Sequence, residues 1–108
     1  MKIKLSPVRM DEQMVATVSG DSITVNGVRI SFGPLLNGES LPNEAINNKW
    51  IAGDVYRIDG EIHLTLVLPH GASAPQKTRF PDAYDVPMTV TRGAVPLPPY
   101  NEQAEDAG

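Results

Sequence analysis

Apolar side chains recur at every second position through most of this chain, and a period of two is the signature of a half-buried strand. The sharpest instance is Ser22-Ile23-Thr24-Val25, then Asn26-Gly27, then Val28-Arg29-Ile30-Ser31-Phe32. Asn-Gly accepts positive φ at both central positions, so it closes a two-residue type I′ turn between antiparallel strands. That turn sets Val25 against Val28 and Ile23 against Ile30. Ile23, Val25, Val28, Ile30 and Phe32 then share one face, with Thr24, Arg29 and Ser31 on the other.

A second hairpin is centred on Asp59-Gly60, between Asp54-Val55-Tyr56-Arg57-Ile58 and Glu61-Ile62-His63-Leu64-Thr65-Leu66-Val67-Leu68. A two-residue turn places Arg57 opposite Ile62, a charge against an apolar side chain. A three-residue loop of Ile58, Asp59 and Gly60, with Gly60 as the bulge residue, sets Arg57 against Glu61 instead. The alternation therefore favours the bulged register. Ile62, Leu64, Leu66 and Leu68 form the longest inward row in the chain, which predicts a central strand ended by Pro69.

Weaker alternation marks strands at residues 2–5, 13–18 and 87–91, and the second of these runs through Ser19-Gly20-Asp21 into the first hairpin as a three-stranded meander. Residues 33–53 read mostly as loop, with a single helical turn opened by Pro42 that puts Ile46 and Trp50 on one side. From 69 to 87 a proline falls every six residues, so no two-turn helix fits there. The run Arg92-Gly93-Ala94-Val95-Pro96-Leu97-Pro98-Pro99-Tyr100 is extended and polyproline-like, with Val95 and Leu97 suited to clamping an edge strand. The fold expected is mostly β: one small antiparallel domain of five to seven strands, a meander plus a bulged hairpin, sandwich- or barrel-like. Residues 1–93 form the β domain, 94–100 the Pro-rich extended arm, and 101–108 a disordered acidic tail.

Composition narrows the function. The 108 residues suffice for one domain, and 41% hydrophobic with 20% charged is a folding composition despite nine glycines and ten prolines. Nine basic against thirteen acidic residues give a net charge of −4, which argues against a nucleic-acid partner. The absence of cysteine excludes disulfides, thiol catalysis and Cys-bearing zinc sites. No stretch reaches the roughly 20 apolar residues of a membrane span, and the N-terminus lacks the apolar core of a secretory signal.

Candidate chemistry is sparse. His63 alternates with Ile62 and Leu64 on the outer side of its strand, and His70 sits at the strand exit, so the two fall in no metal-ligand spacing. Gly71-Ala72-Ser73-Ala74-Pro75 misses the nucleophile elbow at its last position, and no phosphate-cradling glycine loop is present. These patterns name no catalytic, metal or cofactor residue. Partner contact is the remaining chemistry, and its candidates are Trp50, Tyr56, His70, Arg79, Phe80 and Tyr100. Just before the second hairpin, Trp50 reads first as a lid over the sheet core, with an exposed anchor as the alternative. The Pro96-to-Tyr100 segment reads as a ligand for aromatic grooves or, more plainly, as an arm packed on the domain's own surface.

The run Trp50-Ile51-Ala52-Gly53-Asp54-Val55-Tyr56-Arg57-Ile58-Asp59-Gly60-Glu61-Ile62-His63-Leu64-Thr65-Leu66-Val67-Leu68-Pro69-His70-Gly71 is followed by Ala74-Pro75 and Arg79-Phe80-Pro81. With the opening Lys2-Ile3-Lys4-Leu5-Ser6-Pro7 and Ser19-Gly20-Asp21, it resembles a family of small proteins of tailed phages and prophages. Members are encoded in the tail module, near tail-fibre and tail-fibre assembly genes. The resemblance covers nearly the whole chain up to Tyr100, while the stretch around Tyr84 and the acidic tail look individual to this chain. It brings no catalytic or binding residues with it. What it implies is a virion or tail-assembly role in an infected bacterial cell, in the host cytoplasm during assembly or in the virion tail.

The function expected is therefore a non-enzymatic phage tail structural or assembly protein that contacts other tail proteins or itself, without cofactor, metal, nucleic acid or membrane. Two alternatives stand beside it. One is a phage-encoded modulator that binds a host protein. The other is a glycan-binding accessory domain with a cleft lined by Trp50, Tyr56 and acidic residues.

Overall fold

The Asn26-Gly27 turn forms as the alternation requires: both residues have positive φ, 47° and 84°, and Val25 pairs with Val28 and Ile23 with Ile30. It lies in a computed structural model that describes residues 1–101. The expected disordered tail falls outside the described residues, except for Asn101. Strand accounts for 45% and helix for 11% of the described residues, about twice the strand share of an average globular domain. The domain is mostly β.

In chain order the elements are β1 (Lys2–Arg9), β2 (Ala16–Ser19), β3 (Ser22–Val25), β4 (Val28–Ser31), β5 (Ser40–Leu41), α1 (Asn43–Ile46), β6 (Ile51–Ile58) and β7 (Glu61–His70). Then follow α2 (Gln76–Arg79), a 3-10 turn (Asp82–Tyr84), β8 (Met88–Thr89) and β9 (Arg92–Ala94). The strands make two sheets, β5-β6-β7-β1-β8 and β4-β3-β2-β9. Their inner rows meet in one apolar core. Ile3, Leu5, Ile62, Leu64, Leu66 and Leu68 come from the first sheet, and Ala16, Val18, Ile23 and Val25 from the second. This is the sandwich arrangement, each sheet hiding the apolar face of the other. The nine strands among the described residues exceed the five to seven expected because β5 and β9, of two and three residues, form in segments read as loop and at the start of the Pro-rich run.

The central strand is β7, as its leucine row implies, but its neighbours differ from expectation in one respect. β1 runs parallel to it, from Lys2 opposite His63 to Arg9 opposite His70, whereas every other pairing is antiparallel. β1 and β7 both run through a proline. Pro69 does not end β7, and β1 continues past the expected residue 5 through Pro7 to Arg9. The reason is which way each nitrogen faces. Val67 N–H donates to Trp50 C=O on the β6 side, so by alternation Pro69 also turns its nitrogen there, past the end of β6. Met10 N–H donates to His70 C=O, so Pro7 turns its nitrogen away from β7, past the last residue that β8 reaches. Neither proline removes a ladder bond.

The second hairpin corrects the bulged register. Ile58 pairs with Glu61, Arg57 with Ile62 and Tyr56 with His63, so Asp59-Gly60 is a two-residue turn with φ of 50° and 81°. Arg57 tolerates the position opposite Ile62 because its guanidinium is fully engaged. It donates to the carbonyls of Leu35, Phe32 (3.1 Å) and Gly60 (3.0 Å) and to Asp21 Oδ2 at 2.9 Å. The irregularity lies lower in β6, where Gly53, Asp54 and Val55 oppose Leu64 alone. Gly53 has φ 71°, and Asn43 Nδ2 donates to the carbonyls of Ile51 (2.9 Å) and Gly53 (3.0 Å) beside the irregularity.

Three strand bounds move for similar local reasons. β2 begins at Ala16 rather than 13, because Asn26 takes the backbone there: its Oδ1 accepts from Val15 N–H at 2.9 Å and its Nδ2 donates to Gln13 C=O at 3.1 Å. β8 shrinks to Met88–Thr89, while Val90 N–H bonds Met1 C=O at 2.9 Å. The start of the Pro-rich run becomes β9, pairing along β2 with Val95 N–H on Ala16 C=O at 2.9 Å. The helical turn at Pro42 appears as α1, with Ile46 packed against the core and Trp50 within it.

Replacing Arg57 with Met keeps the apolar stem and removes the fork. It leaves the part-buried carbonyls of Phe32 and Leu35 without their donor, so unfolding stability falls by about 1–3 kcal/mol. Urea unfolding followed by the fluorescence of Trp50, the one tryptophan, reads this as a lower midpoint at unchanged slope. A shift below about 0.5 kcal/mol contradicts the view that these hydrogen bonds are what hold Arg57 opposite Ile62.

Candidate functional site

The segment after β7 is divided by its prolines into two single turns. α2 opens at Pro75 and the 3-10 turn at Pro81, both extended, with φ −68° and −73°. A proline at a helix entrance leaves no N–H in need of a partner. Neither turn is long enough to hold itself, so the segment depends on what it buries.

What it buries is small. Ala74, Thr78 and Ala83 are 5%, 0% and 7% exposed, while Phe80, Tyr84 and Val86 are 69%, 58% and 69% exposed. The usual order, large side chains in and small ones out, is reversed here. Thr78 is the anchor: its hydroxyl donates to Pro99 C=O at 2.6 Å, which satisfies a fully buried polar group and fastens the arm. Tyr100 completes the attachment through its own backbone and ring. Its carbonyl accepts from Gly71 N–H at 2.9 Å, and its hydroxyl bonds Met10 C=O. The Pro-rich run is thus laid along the domain's own surface.

Between the end of β1 and this segment lies a groove of about 890 Å³, lined by Pro7, Arg79, Phe80, Pro81, Asp82, Tyr84, Asp85 and Val86. On the other side of Phe80 a second hollow of about 400 Å³ is floored by Leu5, Ala83 and Met88 and walled by the arm at Pro96, Leu97 and Pro98. Phe80 stands as a ridge between them. Charged side chains line both hollows, Arg79, Asp82 and Asp85 the groove and Lys77 and Asp82 the second hollow. Among the described residues none of these four side chains forms an ion pair; the pairs that exist are Met1–Glu61, Arg9–Asp11, Lys49–Glu12 and Arg57–Asp21.

The six contact candidates separate. Arg79 and Phe80 lie together on the groove. Trp50 is 5% exposed inside the core, with Lys49 Nζ 5.0 Å above its ring, so it is a lid and offers no surface to a partner. Tyr100 is half-buried and committed to Met10, and His70 is half-buried with Nδ1 3.1 Å from Gly71 C=O. Tyr56 is exposed on the outer face of the first sheet, beside His63. Trp50 and Tyr56 therefore lie on opposite sides of that sheet and line no common cleft. His63 and His70, seven residues apart on one strand, likewise point to opposite faces, about 23 Å apart along it.

Tyr84, Val86, Asp82 and Asp85 belong to the same surface as Arg79 and Phe80, yet their sequence carries no period to assign them a side. The only available signal is composition: alanine and threonine spaced between bulky residues in a proline-cut segment. Among the described residues, no group of three or more His, Cys, Asp or Glu is placed to hold a metal ion. None of their helices is long and apolar enough to cross a membrane. No protein-family model matches the chain, and no curated protein or solved structure does either.

Because the ridge is outward, Phe80→Ser and Tyr84→Ser each change unfolding stability by less than about 0.5 kcal/mol. Phe32→Ala, in the core at 1% exposure, costs about 3–5 kcal/mol by the same urea titration. A loss above about 2 kcal/mol for Phe80→Ser places that ring in the core instead.

Proposed function

We propose that this protein is a non-enzymatic contact module that works by binding other proteins, in the setting its resemblance implies: the assembly or structure of a phage tail. The observation that carries the reading is the outward set Phe80, Tyr84 and Val86 on a segment anchored by Ala74, Thr78 and Ala83. An apolar patch rimmed by charge is the common mark of a protein interaction surface. Leaving Phe80 and Val86 mostly in water forgoes part of the roughly 1.5–3 kcal/mol that full burial of each contributes, a cost that a partner removes. The partners are other tail proteins or further copies of the chain. The place of action is the bacterial cytoplasm during assembly, or the tail itself.

Mass spectrometry of purified virions against the lysate of the same infection tests this. The expected result is recovery of the chain with virions or with a fibre protein, and its loss when Phe80 is replaced by Ser. Absence from both fractions contradicts the proposal, and recovery with a host enzyme alone favours the modulator reading.

A further inference from the structure

We propose that Asn26-Gly27 is a site of spontaneous covalent modification, in which the β3–β4 turn loses ammonia, gains a carboxylate and lets go of the connection from β1 to β2. This chemistry is independent of the Phe80 groove. In an Asn-Gly pair the glycine nitrogen attacks Asn Cγ, the new C–N bond closes a succinimide ring, and Nδ2 leaves as ammonia. Water then opens either ring carbonyl, giving aspartate or isoaspartate. The only reagents are water and a solvent base that takes the amide proton. Three Asx-Gly pairs occur in the chain, Asn26-Gly27, Asn37-Gly38 and Asp59-Gly60, and the fold treats them differently.

Gly38 N–H is bound to Arg57 C=O at 2.9 Å, and Gly60 N–H to Asn37 Oδ1 at 2.9 Å. Both of those nitrogens are occupied, and the second bond also holds the Asn37 carboxamide. Among the described residues, neither the N–H nor the C=O of the Asn26–Gly27 peptide has a hydrogen-bond partner, and both residues are exposed. In a type I′ turn the nitrogen of this peptide faces away from the Asn Cβ. Rotating the peptide alone gives the type II′ turn, with φ still positive at Asn26 but negative at Gly27, and carries the nitrogen round beside the side chain. Val25 and Val28 stay paired, because both turns close the same two-residue hairpin. Type II′ prefers glycine at its first central position, so the rotated state is minor and the reaction slow.

The latch is the carboxamide itself. Its Oδ1 accepts from Val15 N–H at 2.9 Å and its Nδ2 donates to Gln13 C=O at 3.1 Å, two exposed bonds that open before Cγ is attacked. The same bonds fasten the connection from β1 to β2, on which Met14 is buried. Aspartate keeps the acceptor but loses the donor, and sets a carboxylate oxygen against Gln13 C=O. Isoaspartate adds a carbon to the turn backbone and spoils its two-residue geometry. Either product loosens residues 11–15.

Ageing of the folded chain in mildly alkaline buffer, followed by mass spectrometry of tryptic peptides, reads the reaction; the peptide from Met10 to Arg29 has Asn26 as its one asparagine. Conversion at Asn26 is expected to outpace that at Asn37 about tenfold or more, the factor set by the further bond that Gly38 N–H must break. In urea the two Asn-Gly pairs convert at similar rates, since only the fold distinguishes them. Labelling by an isoaspartate methyltransferase marks the succinimide route, because direct hydrolysis gives aspartate alone. Asn26→Asp, with Trp50 fluorescence confirming that it is folded, speeds amide hydrogen exchange across residues 11–15. Asn37 converting first, or Asn26 still intact in the folded chain when the unfolded chain has fully converted, overturns the proposal. Unchanged exchange in Asn26→Asp overturns the release of the connection.

Discussion

The parallel pairing of β1 with β7 is the constraint on which the rest of the molecule depends. It places the N-terminal strand beside the most apolar strand over eight residues, so both become interior to a five-stranded sheet. A parallel neighbour cannot be reached by a tight turn. The connection from β1 to β7 is accordingly a long crossover that carries β2 to β6, and the segment after β7 crosses to the far side of β1. Residues 71–87 make that crossing, and β8 closes the sheet antiparallel to β1 for two residues only. Beyond Ile3 that edge is flanked by α2 and the 3-10 turn, and the groove opens beside Pro7. The groove is thus a consequence of the topology.

The second sheet is tied to the first through Arg57. Its fork reaches Asp21 at the turn between β2 and β3, and the carbonyls of Phe32 and Leu35 beyond β4. Its backbone joins the same loop, with Arg57 N–H on Glu39 C=O at 3.1 Å and Gly38 N–H on Arg57 C=O at 2.9 Å. With one end of the sandwich fixed by this cluster and the other by Tyr100 on Met10 and Thr78 on Pro99, the proline-cut segment is held on a firm base. A rigid base matters for recognition, since side chains already held in place lose less entropy on binding.

Features encoded by neighbours in sequence were legible. The Asn26-Gly27 turn, the meander, the inward leucine row of β7 and the single turn after Pro42 each rest on residues within a few positions of one another. Features encoded across long separations were not. Nothing local marks Lys2 as the neighbour of His63, or the start of the Pro-rich run as a fourth strand beside β2. Arg57 opposite Ile62 looked unfavourable because its partners lie 22, 25 and 36 positions away, and only the folded chain brings them within reach. At the site, Arg79 and Phe80 stood out as an anchor. Tyr84 and Val86 did not, because a segment of single turns has no period from which to infer a face. Trp50 shows the reverse limit: a tryptophan suits an interface and a core equally well, and the packing of the two sheets decides which.

Hydroxyl-radical footprinting, read residue by residue, measures most directly whether this β module presents its bulky side chains for contact. In the dilute chain, Phe80 and Tyr84 are oxidised readily while Phe32 and Trp50 are spared, and in the assembled state Phe80 and Tyr84 become as protected as the core. Protection of Phe80 and Tyr84 in the dilute chain, or their undiminished oxidation after assembly, contradicts the account.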